Sequence, residues 1–264
     1  MARASPDMPF RSILHALKRT AARQAVAGAS RNDLAQAATV QSAYPARMAP
    51  HRMFADRNDA AEALARQLSE YHGRKPLVLA IPRGAVPMGS ILAERLQGEL
   101  DLVLVRKLGS PIDPEYAIGA IDETGWVYIQ PEAPDIMTSG PLLEQIKADE
   151  LAILKKRRAD YTPFMPAIDA KDRVAIVVDD GLATGATMIA ALHATRAREP
   201  AELVCAVPVA ATSSLEKVRP LADKVVCLYD TEYFGAVSLY YNRFTQVSDA
   251  EVAAILARRR PVPP

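Results

Sequence analysis

Between Val174 and Thr187 the chain reads Val-Ala-Ile-Val-Val-Asp-Asp-Gly-Leu-Ala-Thr-Gly-Ala-Thr. The opening run is apolar without alternation, the pattern of a strand buried on both faces of a parallel sheet. It stops on two adjacent carboxylates, Asp179 and Asp180, and a turn of small and hydroxyl residues then opens a helical stretch at Gly185. Few local structures accommodate that order. In an open parallel sheet ligands bind beyond the carboxyl ends of the strands. A helix start offers free N–H groups and a positive dipole end, which attract phosphate. Gly181 and Gly185 permit close backbone approach and unusual torsions, and Thr184 and Thr187 add hydroxyl donors.

The rest of the chain from Phe54 repeats strand and helix in alternation. Apolar spacing predicts a helix over Asp59–Tyr71, a strand over Leu77–Ile81, a helix over Gly84–Leu96 and a strand over Asp101–Val105. Segments Tyr116–Ile121 and Trp126–Ile129 flank Glu123-Thr124-Gly125 and predict a hairpin projecting from the core, within a flexible region of about 108–131. A charged amphipathic helix follows over Leu142–Arg158. Then come strand Arg173–Val178, helix Gly185–Arg198, strand Glu202–Pro208, helix Ser213–Leu221 and strand Lys224–Leu228. The pattern implies an α/β fold with a doubly wound, mainly parallel sheet. The tail of about 229–260 reads as a small hood holding an aromatic stretch and a last helix, with Ser248 as N-cap and Glu251 closing a capping box.

Residues 53–264 thus read as one domain, and 1–52 as an extension of weak order or short helices. Its only acids are Asp7 and Asp33, and Phe10, Ile13, Leu14 and Leu17 recur at helical spacing. An organelle transit segment, a loosely ordered extension and a start codon placed upstream of Met53 are the competing readings. Across 264 residues the formal net charge is +1, so no basic excess points to a nucleic acid partner. No apolar run reaches membrane-span length. Cys205 and Cys227 form no CxxC pair and the four histidines are scattered, which excludes the common structural zinc patterns. Two strand thiols in a reducing cytosol is the expectation, with a cross-strand disulfide as the alternative.

Two familiar phosphate loops do not match, because the turn holds no GxxxxGK[ST] lysine and the chain has no GxGxxG after an early strand. Carboxylates beside a phosphate cradle would repel it, unless they face sugar hydroxyls instead. A ribose 5-phosphate satisfies both halves of the string. A second strand-turn-helix carries Pro82-Arg83-Gly84-Ala85-Val86-Pro87, where Arg83 offers a planar fork of donors to a polyanion and Gly84 allows close approach. An ordinary turn with a solvent-facing Arg competes. Arg106-Lys107 follows the second strand, as a further cationic site or as a solvated strand end.

Val177–Thr187 resembles the 5-phosphoribosyl-1-pyrophosphate (PRPP) motif of type I phosphoribosyltransferases. The resemblance runs from about Phe54 to Val252 and is greatest to bacterial phosphoribosyltransferase-domain proteins of undefined acceptor. It implies that Asp179 and Asp180 hold the ribose hydroxyls, and that Gly181, Ala183, Thr184, Gly185, Ala186 and Thr187 hold the 5′-phosphate. It further implies that Arg83, Gly84, Ala85, Arg106 and Lys107 meet the pyrophosphate, in a loop that often contains a non-proline cis bond. Many relatives have a second glycine where Ala85 stands. Asp179, Asp180, Arg83 and Lys107 are the implied catalytic set, with Mg²⁺ held indirectly by the two acids through PRPP and water. Residues 109–125 would form a mobile loop with Asp122 and Glu123 near its tip. Tyr233, Phe234, Tyr240, Tyr241 and Phe244 would either stack on an acceptor or pack the hood. The implied activity is transfer from PRPP to a nucleobase-like acceptor in the cytoplasm, by a chain that is a homodimer in many relatives. A PRPP- or nucleotide-binding regulatory module and a PRPP-forming enzyme are the alternatives.

Overall fold

The computed structural model describes residues 53–110, 117–134 and 140–259. In chain order the main elements are α1 (Arg57–Gln67), β1 (Leu77–Ala80), α2 (Val86–Arg95), β2 (Glu99–Leu102), β3 (Val105–Gly109), β4 (Ala117–Asp122), β5 (Val127–Ile129), α3 (Pro141–Tyr161), β6 (Val174–Val178), α4 (Ala186–Arg196), β7 (Glu202–Ala211), α5 (Thr212–Val218), β8 (Lys224–Thr231) and α6 (Asp249–Arg259). Five strands form the main sheet in the order β2-β1-β6-β7-β8, and every neighbouring pair is parallel. The apolar runs explain this. All five residues of β6 are buried, and their side chains alternate between two cores. Val174, Ile176 and Val178 join the α1–α2 face, while Ala175 and Val177 join the α4 face.

From β1 the chain steps outward to β2, and it returns to the other side of β1 as β6. This reversal creates a switch point, where loops on adjacent strands diverge and leave a crevice. The register Leu77↔Ala175 through Ala80↔Val178 brings both strand ends out level. Ile81 N donates to Val178 O at 3.1 Å. The turn after β1 and the acidic turn after β6 therefore leave the sheet side by side.

Two expectations need correction. The single strand over Asp101–Val105 is two strands: β2 ends at Leu102, and β3 begins at Val105 in a separate sheet. Apolar residues 102–105 stay buried throughout, so hydrophobicity alone does not reveal the break. Arg106 and Lys107 accordingly lie within β3, not beyond a parallel strand. The hairpin is present as β4 and β5, but β3 completes it into a three-stranded antiparallel sheet. That small sheet packs on α3 and α4. Ile118, Ala120 and Ile121 are buried, and the Trp126 ring stacks on His193 of α4 at 3.6 Å between centroids. Asp122 accepts from Thr124 N, Thr124 Oγ1 and Trp126 N, and Glu123 pairs with Arg158 of α3 at 2.7 Å. Both acids thus build the turn and its attachment. The extension 1–52 and the loop tip 111–116 lie outside the described residues.

Among the described residues no helix is long and apolar enough to cross a membrane. Cys205 on β7 is buried, Cys227 on β8 is half-buried, and both are free thiols. Burial pushes the Cys227 thiol up to about 11 and Cys205 higher still. From the ordinary thiol value of 9.0, that shift lowers the reactive thiolate at neutral pH by roughly 100-fold. Iodoacetamide labelling at pH 7.5 should therefore be slow for the native chain and fast after denaturation, as peptide mass spectrometry would report. Packing of α2 on β1 gives a second expectation. A Cβ on Gly89 would lie 2.8 Å from Ala80 Cβ and 2.9 Å from Leu100 Cδ1. Gly89→Ala should lose about 1–3 kcal/mol of stability by overpacking, read from urea unfolding.

Candidate active site

The crevice between β1 and β6 collects groups from five segments. Asp179 and Asp180 end β6. Asp180 N donates to Asp179 Oδ1 at 2.8 Å, which fixes the first carboxylate. Burial and the adjacent Asp180 charge push the Asp179 carboxyl well above the usual range, opposed by Lys107 and Arg57. Burial raises Asp180 too, with Arg57 the main opposing group. Arg57 Nε donates to Asp180 Oδ2 at 2.8 Å. The Tyr241 hydroxyl donates to the Asp180 carbonyl at 2.6 Å.

Beyond the acids, Leu182 is clamped to β7 by Leu182 N→Val209 O and Ala211 N→Leu182 O, each 2.9 Å. Ser214 Oγ donates to Ala183 O at 2.6 Å. Gly185 has φ of +84°, the left-handed region where glycine is favoured, and α4 starts at once. No side chain caps that helix. Its free N–H groups therefore face the turn together with the Thr184 and Thr187 hydroxyls, which have no partner among the described residues. The turn after β1 approaches from the other side. Its Pro82–Arg83 peptide is cis. A Cβ on Gly84 would lie 2.2 Å from Asp180 Oδ2, so only glycine lets the two turns meet. Ala85 is fully buried beneath them.

The candidate cations diverge. Lys107 is exposed on β3, near enough to lower the proton affinity of both acids. Arg83 Nη1 binds Asp249 Oδ2 at 3.2 Å, and Asp249 Oδ1 accepts from the Tyr161 hydroxyl at 2.7 Å. Arg106 is paired with Glu150 of α3. In the hood, Tyr240 stacks on Phe234 at 4.9 Å and both are buried, so these two pack the hood. Tyr233 is exposed.

Arg57 is the site residue that sequence reasoning missed. It sits at the first position of α1, directly after the N-cap Asp56, and it is 9% exposed. A cation in a first helical turn opposes the helix dipole. That anomaly was a usable signal, although its partner lies far away in sequence. Two cavities adjoin this arginine. One of about 410 Å³ is bounded by Arg57, Arg83, Gly84, Asp180, Phe244 and Gln246. Another of about 590 Å³ is bounded by Arg57, Arg243, Ser90, Ile91, Glu251 and Arg258. Arg57, Thr245 and Val247 line both.

The sequence pattern of the phosphoribosyl transferase domain matches residues 53–242. A Mycobacterium tuberculosis protein, provisionally named a phosphoribosyl transferase, is 38% identical over 211 residues, which is 78% of this chain and 47% of the relative. A Haemophilus ducreyi ribose-phosphate pyrophosphokinase is 28% identical over 109 residues, 40% of this chain and 34% of that protein. The chain thus spans about half the length, or less, of these curated relatives. The crystal structure of TT1426 from Thermus thermophilus is 40% identical, with 79% of this chain and 99% of that chain covered at a TM-score of 0.66. With its parallel sheet, its paired acids and the match across 53–242, this chain belongs to the phosphoribosyl transferase domain family.

Proposed function

We propose that this chain is a Mg²⁺-dependent phosphoribosyltransferase that moves the phosphoribosyl group of PRPP to a nucleobase-like acceptor and releases pyrophosphate. The observation that carries this is the meeting of Gly84 with Asp180, two turns far apart in sequence with no room between them for a methyl group. One turn offers adjacent carboxylates and an uncapped helix start, suited to a ribose and its 5′-phosphate. The other offers backbone and Arg83, suited to pyrophosphate. A ligand with a phosphate at each end of a ribose spans both.

In the reaction the C1–O bond to pyrophosphate breaks and a bond forms from C1 to the acceptor nitrogen, which loses its proton. Asp179 and Asp180 would orient the sugar through its hydroxyls, and the α4 start would hold the phosphate end, so that positioning supplies much of the rate. Lys107 and Arg83 would offset charge on the departing pyrophosphate. Mg²⁺ fits this donor set. Among the described residues no three metal-ligating side chains converge, and Mg²⁺ is ordinarily bound by one or two carboxylates plus substrate phosphates and water. When bound, it neutralises charge on the leaving group.

A second reading, a PRPP-sensing module without transfer, is favoured by one observation. The ion pairs Arg83–Asp249 and Arg106–Glu150 occupy two of the three cations expected at the pyrophosphate. Thermal shift with Mg²⁺ and PRPP, followed by a nucleobase panel assayed for pyrophosphate, separates the two. Wild type should be stabilised and Asp179→Asn/Asp180→Asn should not. Equal stabilisation of both proteins would sink the site assignment, and PRPP binding with silence across the panel would leave the sensor. Gly84→Ala should reduce PRPP affinity by about 10-fold or more, the scale of a lost charge-assisted hydrogen bond, because its methyl group displaces the Asp180 carboxylate. Calorimetric titration checks this, and an affinity equal to wild type would refute it.

A further inference from the structure

Four consecutive residues, Phe54-Ala55-Asp56-Arg57, each tie the start of α1 to the hood. Phe54 N donates to Tyr240 O at 3.1 Å, and Asn242 N returns a bond to Phe54 O at 2.8 Å. Arg243 N donates to Ala55 O at 3.0 Å. Asp56 caps α1 through Oδ1 and pairs with Arg243 through Oδ2 at 2.6 Å. Arg57 alone goes further. Its Nε binds Asp180 Oδ2 at 2.8 Å, its Nη1 donates to the Thr245 carbonyl at 2.7 Å, and its guanidinium lies 3.8 Å over the Phe244 ring. One planar group thus grips the ribose carboxylate, the backbone of the hood and an aromatic face of the hood.

We propose that Arg57 is a positioning residue that makes donor binding depend on the hood, by holding Asp180 in place only while Phe244 and Thr245 hold Arg57. This rests on the PRPP reading of the pocket and deepens it. Asp180 Oδ2 is consumed by Arg57 and abuts Gly84. Among the described residues no other residue's group bonds its Oδ1, which leaves that oxygen within reach of a sugar hydroxyl. A carboxylate with one oxygen pinned presents the other in a fixed direction, which is preorganisation of the donor site. The pin is only as firm as its own supports, and two of them belong to the segment 244–245 that lines the same 410 Å³ cavity. Any movement of the hood that lifts Phe244 or Thr245 frees the guanidinium and unpins Asp180. An acceptor that settles the hood therefore tightens PRPP, and by reciprocity PRPP tightens the acceptor.

A general cationic role must be separated from this one, since PRPP is a polyanion and loss of any nearby charge weakens it. Lysine keeps the charge but lacks the planar fork and the stacking face. Calorimetric titration of Mg²⁺-PRPP into wild type, Arg57→Ala, Arg57→Lys, Phe244→Ala, the Arg57→Ala/Phe244→Ala double variant and Arg243→Ala tests it. Arg57→Ala and Arg57→Lys should each bind about 10-fold or more weakly, the scale of a lost charge-assisted bond. Phe244→Ala should be weakened also, and the double variant should bind no worse than Arg57→Ala alone, because Phe244 acts through the arginine. Arg243→Ala removes only an exposed ion pair of little worth, leaves the backbone bonds of the hood and every Arg57 contact in place, and should match wild type. Full binding by Arg57→Lys, additive losses in the double variant, or an equal loss in Arg243→Ala would each overturn the proposal while PRPP binding by wild type preserved the functional reading. Absence of PRPP binding in wild type would overturn both. If Arg57→Ala does not fold, full binding by Arg57→Lys or by Phe244→Ala remains decisive against it.

Discussion

Two adjacent carboxylates at the end of a buried strand are the costly element on which this architecture depends. Removing an ion from water costs several kcal/mol even after the protein relaxes. Burial makes both Asp179 and Asp180 hold their protons more tightly, and at Asp179 the adjacent Asp180 charge adds to that cost. The fold answers with neighbours that were not available locally. Arg57 comes from the first helix and Lys107 from the antiparallel sheet, while Tyr241 of the hood holds the Asp180 backbone carbonyl. None is close to the acids in sequence, so the site exists only when every layer is assembled.

The glycine at position 84 shows how tightly those layers are set. Strand register delivers the two turns level with each other, and the contact that follows leaves no space for a side chain. Such closeness keeps both turns within reach of one small ligand. It also means that Asp180 is restrained by Arg57 on one side, by the Gly84 backbone on another and by Tyr241 beneath. Electrostatic cost and steric restraint thus fall on the same residue. A binding group that must present one oxygen in a constant direction benefits from both.

Much of the fold was legible in the sequence, because parallel strands buried on both faces write themselves as unbroken apolar runs. β1, β6 and β7 were readable for that reason. The split between β2 and β3 was not, since residues 102–105 are buried across the break and carry no turn signal. The hairpin was readable from its Glu123-Thr124-Gly125 turn, but its packing against α4 was not. Burial of Ile118 and Ile121 comes from tertiary partners. At the site, the string Asp179–Thr187 and the turn at Gly84 were local and therefore visible. The partners of Arg83, Arg106 and Asp180 were long-range ion pairs, which no local pattern encodes.

The same distinction bears on the hood. Five hood aromatics offered themselves as stacking surfaces in the sequence. In the fold Phe234 and Tyr240 are buried against each other, and Tyr241 is committed to the Asp180 carbonyl. Phe244 has one face under the Arg57 guanidinium. Aromatic content in the hood is therefore spent largely on holding the hood closed over the acids, and only exposed Tyr233 is clear of the packing. Beside Arg57, Arg83, Gly84 and Asp180, the smaller cavity is lined by Val237, Phe244, Thr245, Gln246 and Val247. Apolar contact with a single amide recognises a flat ring by shape more than by charge. Under the proposed transfer, an acceptor site of that composition would leave the charged work of the crevice to the donor side, where Arg57 meets the paired carboxylates.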